Sequence, residues 1–152
     1  MELREIDRTS RSDISLLSTL FKEYAAEVKP DMSPTVAEEL ATIPCFRGFM
    51  AFDDGKPIAF CVCYETYSTY RSKYVWNLHD VMVSRSARGL GAGRALLEWV
   101  LAEAKTANVA KVTLEVEDDN AVAKSLYASL GFQDFTVTAP KEHHWHLYTQ
   151  DL

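Results

Sequence analysis

The sequence predicts an α/β fold: a mixed, mostly antiparallel central sheet with helices on both faces. Three observations predict it. Segments of strand character and of helical period follow one another in the order β-α-α-β-β-β-α-β-α-β-β. A strong hairpin signal, Asp53-Asp54-Gly55-Lys56-Pro57, joins two of the strands. A compact apolar strand over 111–116, with Val112, Leu114 and Val116, lies between two helical segments and suits a buried parallel position.

Residues 3–6 make a short first strand. Ser12 caps a helix whose apolar residues Ile14, Leu17, Leu20, Phe21, Tyr24 and Val28 recur at helical spacing. Pro30 and Pro34 break it, leaving Glu27, Lys29 and Asp31 in a loop before a second helix over 35–42, which Pro44 ends. Strands follow over 47–52 and 58–66. Cys61 and Cys63 share a face of the latter, and with no ligand-spaced partner nearby they read as core packing rather than as metal ligands or nucleophiles.

A polar, aromatic loop over 67–73 leads into a long strand over 74–83. Strict alternation puts Val75, Asn77, His79, Val81 and Val83 on one face and Trp76, Leu78, Asp80 and Met82 on the other. His79 and Asp80 then form a dyad only if a β-bulge breaks the register. The next helix packs through Leu96, Leu97, Val100, Leu101 and Ala104. Asp118-Asp119-Asn120 supplies a turn and cap for a helix that Gly131 closes, and strands over 132–138 and 144–149 end the chain.

With 152 residues the chain reads as one domain, 1–152, large enough to bury a core. No apolar run reaches membrane-spanning length, and Met1-Glu2-Leu3-Arg4-Glu5 is no signal peptide, so no membrane partner is expected. Three cysteines without a Cys-x-x-Cys point to the cytoplasm. A net charge of −6 argues against nucleic acid as a partner and is compatible with a cationic small substrate.

The stretch Val81-Met82-Val83-Ser84-Arg85-Ser86-Ala87-Arg88-Gly89-Leu90-Gly91-Ala92-Gly93-Arg94 reads as a strand end, a polar loop, three alternating glycines and a helix start. Glycines at every second position let a large group approach the backbone. The helix start adds unpaired N–H groups and partial positive charge, so the stretch is a cradle for phosphate, with Arg88 and Arg94 at its rim. The lysine of a P-loop is missing, and a G-x-G-x-G preceded by a polar loop fits a dinucleotide fingerprint poorly. A flexible turn before a helix is the remaining alternative.

A second motif follows: Asn120-Ala121-Val122-Ala123-Lys124-Ser125-Leu126-Tyr127-Ala128-Ser129-Leu130-Gly131-Phe132. The two together resemble the GNAT family of N-acetyltransferases, with Arg88-x-x-Gly91-x-Gly93 as its acyl-CoA pyrophosphate motif. The resemblance covers most of the chain. Tyr64-Glu65-Thr66-Tyr67-Ser68-Thr69-Tyr70 and Leu78-His79-Asp80-Val81-Met82-Val83 look most like the diamine and polyamine branch. There the second stretch usually reads leucine-glutamate-aspartate, so His79 is a departure. The resemblance implies a sheet splayed between strands 4 and 5 to admit pantetheine, acetyl-CoA as co-substrate, and a homodimer. It also implies that Val81, Met82, Val83, Arg88, Gly89, Leu90, Gly91, Ala92, Gly93, Arg94, Asn120 and Ala123 hold the coenzyme. Tyr127 matches the family tyrosine that points at the departing sulfur.

Direct transfer to an amine makes three demands. The ammonium of a lysine-like amine, with a pKa of about 10, must lose its proton. His79 is the first candidate base because imidazole titrates near neutrality; Glu65 is the second, and water alone is an alternative. The oxyanion needs a donor, for which the main-chain N–H of Val81 or a neighbour serves. The thiolate needs a proton, which the Tyr127 phenol can give. Tyr64, Tyr67, Tyr70 and Trp76 could wall an alkylammonium chain, and Glu27, Asp31, Glu65 and Asp80 could supply negative charge. The acceptor is expected to be a diamine, polyamine or lysine-like amine, with a protein amine or an aminoglycoside as alternatives. His143-His144-Trp145-His146 lacks an evident third ligand, so no metal is expected. Two other classes compete: a non-catalytic acyl-CoA sensor, which Tyr127 disfavours, and an interaction module, which the glycine cradle disfavours.

Overall fold

A computed structural model describes residues 1–134 of the chain. It contains strand β1 (Glu2–Glu5), helices α1 (Arg11–Val28) and α2 (Val36–Thr42), and strands β2 (Phe46–Asp53), β3 (Lys56–Ser68) and β4 (Lys73–Val83). A 3₁₀ turn (Arg85–Ala87) then leads to α3 (Ala92–Thr106), β5 (Lys111–Leu114) and α4 (Ala121–Ser129). The chain divides into two units, Met1–Glu115 and a second beginning at Val116, and each is described by itself.

In the first unit one five-stranded sheet runs in the order β1-β2-β3-β4-β5. All pairings are antiparallel except β4 with β5, which is parallel. This is the mixed, mostly antiparallel sheet that the element order predicts. One face carries α1 and α2: Leu17, Leu20, Phe21 and Leu40 pack on Met50, Phe60, Val62 and Met82. Each of these fully buried apolar side chains contributes roughly 1.5–3 kcal/mol. Across the sheet, α3 lays Trp99 edge-on against Phe49, 5.7 Å between centroids, and buries Leu96, Leu97 and Val100. Helices therefore cover both faces.

Several boundaries differ from the sequence reading. Ser10, not Ser12, caps α1: its Oγ accepts from the Asp13 N–H at 3.3 Å, so the helix starts earlier. Glu27 lies in the last turn of α1 rather than in a loop, because the helix runs to Val28, two residues short of Pro30. The loop predicted over 67–73 shrinks, because Tyr67 pairs across the hairpin with Tyr74, rings 5.3 Å apart, and extends both strands. β5 stops at Leu114.

The larger correction concerns β4. Val62 pairs with Asp80 but Cys63 pairs with Leu78, so His79 is an extra residue in β4. Alternation holds up to His79 and reverses after it. Trp76 and Leu78 share the α3 face with Cys63, whereas Asp80 and Met82 lie with Val62 and Phe60 on the α1 face. Residues 132–134 have no regular structure, and the rest of the predicted final strand pair, with His143, His144 and His146, lies outside the described residues.

The first strand is fastened to α1 by a buried charge. Asp13 is 6% exposed and accepts from Arg4 Nη1 at 2.6 Å, Arg4 Nη2 at 2.9 Å and the Asp7 N–H at 2.9 Å. Pairing with Arg4 holds its carboxyl below the ordinary range against the opposing effect of burial. A depressed carboxyl contributes stability that is complete above its unfolded pKa of about 4 and is lost as pH falls through the folded value. Asp13→Asn should therefore cost about 2–4 kcal/mol at pH 7. Urea unfolding should show that difference from wild type shrinking as pH falls below about 4.

Candidate active site

The loop that leaves β4 is built from the outside by α1. Glu23 and Glu27 lie one turn apart on that helix and both face the loop. The Glu23 carboxylate accepts from Ser84 Oγ at 2.9 Å and from the Arg85 N–H at 2.7 Å. Glu27 accepts from Arg85 Nε and Arg88 Nη2, each at 2.7 Å, while Arg88 Nε donates to the Val83 carbonyl at 3.0 Å. The guanidiniums of Arg88 and then Arg85 hold the Glu27 carboxyl below its usual range.

So anchored, the chain turns through two glycines at positive φ, Gly89 at 77° and Gly91 at 82°, the second being the N-cap residue of α3. L-residues adopt that conformation only with strain. A Cβ at either position would meet nothing within 4 Å, so the space over the loop is open. The first-turn N–H groups of α3, from Ala92 through Arg94, have no acceptor within the helix. Together with the helix dipole they fit a diphosphate. Arg94 sits one turn from Glu98, 3.6 Å away. Against the same loop lies a cavity of about 250 Å³, lined by Ser86, Ala87, Leu90 and Ala92 and by Asp53 and Lys56 of the β2–β3 hairpin.

Beside this loop, β4 presents an edge that is open among the described residues. It pairs with β5 only from Val75 to Leu78, and His79 through Val83 have no β5 residue opposite them. The pairing stops there because β5 itself ends at Leu114. The bulge sits where pairing ends. It turns His79 and Asp80 to one side, where His79 Nδ1 lies 3.2 Å from Asp80 Oδ2. The other Asp80 oxygen accepts from the Tyr24 hydroxyl of α1 at 3.0 Å. The His79 ring meets that of Tyr64 edge-on, 5.4 Å between centroids, and its side chain is 59% exposed.

The predicted acceptor residues are not gathered in one place. Glu65 and Tyr67 lie on the α3 face, opposite His79 and Tyr64. There Glu65 accepts from Trp76 Nε1 at 2.8 Å and faces Arg47 at 3.7 Å, and the Arg47 guanidinium stacks 4.1 Å above the Trp76 ring. Tyr70 is exposed in the β3–β4 turn. Cys61 and Cys63 are buried; burial pushes the Cys63 thiol up to about 12 and that of Cys61 well above its ordinary value, so neither is a thiolate nucleophile. Among the described residues no group of three or more His, Cys, Asp or Glu side chains is arranged to hold a metal ion.

In the second unit, Asn120 caps α4 by accepting from the Ala123 N–H at 3.1 Å. Tyr127 packs edge-on to Phe132, 5.8 Å between centroids, and its carbonyl accepts from the Phe132 N–H at 3.0 Å, with Gly131 at φ 87° making the turn between them.

Three residues of the site escape the sequence reading. Tyr24 reads as core by its spacing, and Glu23 and Ser84 carry no local signal. The i, i+4 pair of acids on α1 could have suggested a cationic partner, but their partners stand about sixty positions away, beyond the reach of local pattern.

A model of the acetyltransferase (GNAT) family matches residues 14–132. An uncharacterized N-acetyltransferase of Bacillus subtilis, YhfO, is 28% identical over 135 residues, spanning 86% of this chain and 91% of its own. The ribosomal protein bS18-alanine N-acetyltransferase of Escherichia coli K12 is 33% identical over 92 residues, 60% of this chain and 58% of that enzyme. The thialysine N-epsilon-acetyltransferase of Bos taurus is 31% identical over 99 residues, 62% of this chain and 55% of that enzyme. These last two matches thus span little more than half of each relative's length. Among solved structures, a probable acetyltransferase superposes with a TM-score of 0.79 over the whole of both chains at 23% identity, a likeness of fold.

Gly91→Val should keep the fold, because the added side chain enters open space, at a cost of about 1–2 kcal/mol for the left-handed backbone. The same side chain stands where a diphosphate would lie. Calorimetry should show the CoA dissociation constant rising at least about tenfold, roughly 1.4 kcal/mol.

Proposed function

The chain belongs to the acetyltransferase (GNAT) family, and on that premise we propose that it acetylates a small cationic primary amine by direct transfer, with His79 as base and Tyr127 as acid. It is an N-acetyltransferase, and acetyl-CoA, the acyl donor of the family, supplies an activated thioester. What remains for the protein is to bind, orient and move protons.

The observation that carries the reading is the open edge of β4 beside the glycine loop, with a histidine at the bulge. The backbone from Arg88 to Arg94 grips the diphosphate and the main chain of Val81, Met82 and Val83 lies along the pantetheine; Asn120 and Ala123 are assigned to the coenzyme by the family motif. A main-chain N–H at this edge, at Val81 or beside it, receives the charge that develops on the carbonyl oxygen. His79 takes the proton of the incoming ammonium; at neutral pH that removal costs about 4 kcal/mol for a group of pKa near 10, which a positioned imidazole supplies in part. Tyr127 returns a proton to the departing sulfur. Holding amine and thioester together contributes a further large share.

For the acceptor, the net charge of −6 and the relative that acts on thialysine support a small cationic, lysine-like or diamine substrate. A second reading, the α-amine of a protein, has its own support. Glu27, Glu65 and Asp80 all have partners within the chain, which suits an acceptor that needs no carboxylate cage, and one relative acts on an alanine of a ribosomal protein. A cytoplasmic homodimer completes the proposal: the three cysteines are free thiols, and among the described residues β1 leaves one sheet edge open for a second copy.

An amine panel followed by CoA thiol release tests the reading, with a diamine, a lysine analogue, an aminoglycoside and an alanine-initiated peptide as acceptors. Tyr127→Phe should lower turnover more than about tenfold, and His79→Ala by about tenfold or more. A wild-type rate in either variant removes that residue from the mechanism.

A further inference from the structure

The bulge in β4 does more than expose a histidine. In a regular strand the side chains of residues 79 and 80 would point to opposite faces. Here the extra residue turns both to the α1 face, with Nδ1 of His79 3.2 Å from Oδ2 of Asp80. Asp80 is itself held: its Oδ1 accepts from the Tyr24 hydroxyl at 3.0 Å. Tyr24 is fixed in turn by edge-on contacts with Phe21, 6.2 Å away, and Phe60, 5.6 Å away. The Asp80 side chain is 25% exposed against 59% for His79, so the carboxylate is the sheltered member of the pair and the imidazole the accessible one.

We infer that Asp80 is a positioning residue for His79 rather than a counter-ion for the acceptor, and that Tyr24 locks it in place. This rests on the reading of His79 as the base. A carboxylate at Nδ1 keeps the proton of the neutral ring on that nitrogen and leaves the Nε2 lone pair for the ammonium. It also favours the imidazolium that forms when the proton is taken. The amine's positive charge finds no open carboxylate at position 80, because both oxygens of that residue are engaged.

The other polar groups near the ring do not duplicate this role. Tyr64 on β3 presents its ring edge to His79. Asn77, two residues earlier on β4, donates to Glu115 at 3.2 Å. On α1, Glu23 and Glu27 are turned to Ser84, Arg85 and Arg88.

The test reads the imidazole directly and needs no acceptor. In ¹⁵N NMR of the full chain, His79 is identified by the resonance lost in His79→Gln. The neutral wild-type ring should carry its proton on Nδ1. In Asp80→Asn the ring should move toward the Nε2–H form. Tyr24→Phe keeps the ring contacts with Phe21 and Phe60, and should fall between the two. With the best amine of the panel, Asp80→Asn should lower kcat/KM about tenfold. An imidazole whose tautomer is unmoved in Asp80→Asn overturns the inference. His79→Gln turning over at the wild-type rate would sink the base reading instead, and the ring measurement tells the two failures apart.

Discussion

Between Val62 and Cys63 of β3, the facing strand β4 carries one residue more than its partner, and that residue is His79. The consequences run in both directions along the strand. Toward its start, Trp76 and Leu78 fill the layer under α3; toward its end, Met82 fills the layer under α1. One strand thus supplies apolar side chains to both cores, and the polar Asp80 on the α1 face is met by the Tyr24 hydroxyl. The extra residue is extruded with its neighbour at the sheet surface, where parallel pairing with β5 has just ended.

A second constraint comes from α1, which touches both halves of this arrangement. Its Tyr24 meets the bulge, and its Glu23 and Glu27, on neighbouring turns, meet the loop beyond the strand. Two carboxylates facing a loop with two arginines balance charge in a chain that is acidic overall. They also fix the loop's path before any ligand arrives, so that Gly89 and Gly91 present their backbone to open space. Arg88 bonds to Glu27 and to the Val83 carbonyl, so its side chain serves the loop's own shape, which in the proposed site leaves phosphate mainly to main-chain N–H groups.

How much of this was legible follows from range. The glycine loop, the Asn120 cap, the Gly131 turn and the hairpin at Asp54 are local, and their residue types announce them; each stands where the sequence predicts it. The mixed sheet was legible for the same reason, from period and order. The bulge was legible only as a condition: strict alternation sets Asp80 on the face of Trp76, Leu78 and Met82, and the family resemblance favours a break in this strand, but the extra residue itself exists only relative to β3. A dyad of His79 and Asp80 could be written from sequence only on the condition of such a bulge. Nor could the sequence tell that Glu27 and Glu65 are taken by Arg85, Arg88 and Trp76, since charge near an aromatic cluster looks the same whether it awaits a ligand or holds a neighbour. The capping serine was misplaced by two positions because Ser10 and Ser12 are equally good caps, and the bond to the Asp13 N–H decides between them.

The central claim is that one continuous backbone surface, from the open edge of β4 through the glycine loop, receives the coenzyme. Titration of the ¹⁵N-labelled chain with CoA measures it most directly, amide by amide. The largest shifts should fall on Val81, Val83 and the amides from Gly89 to Arg94, with little change on α2. Saturable shifts confined to other segments, with those amides unmoved, would contradict the account.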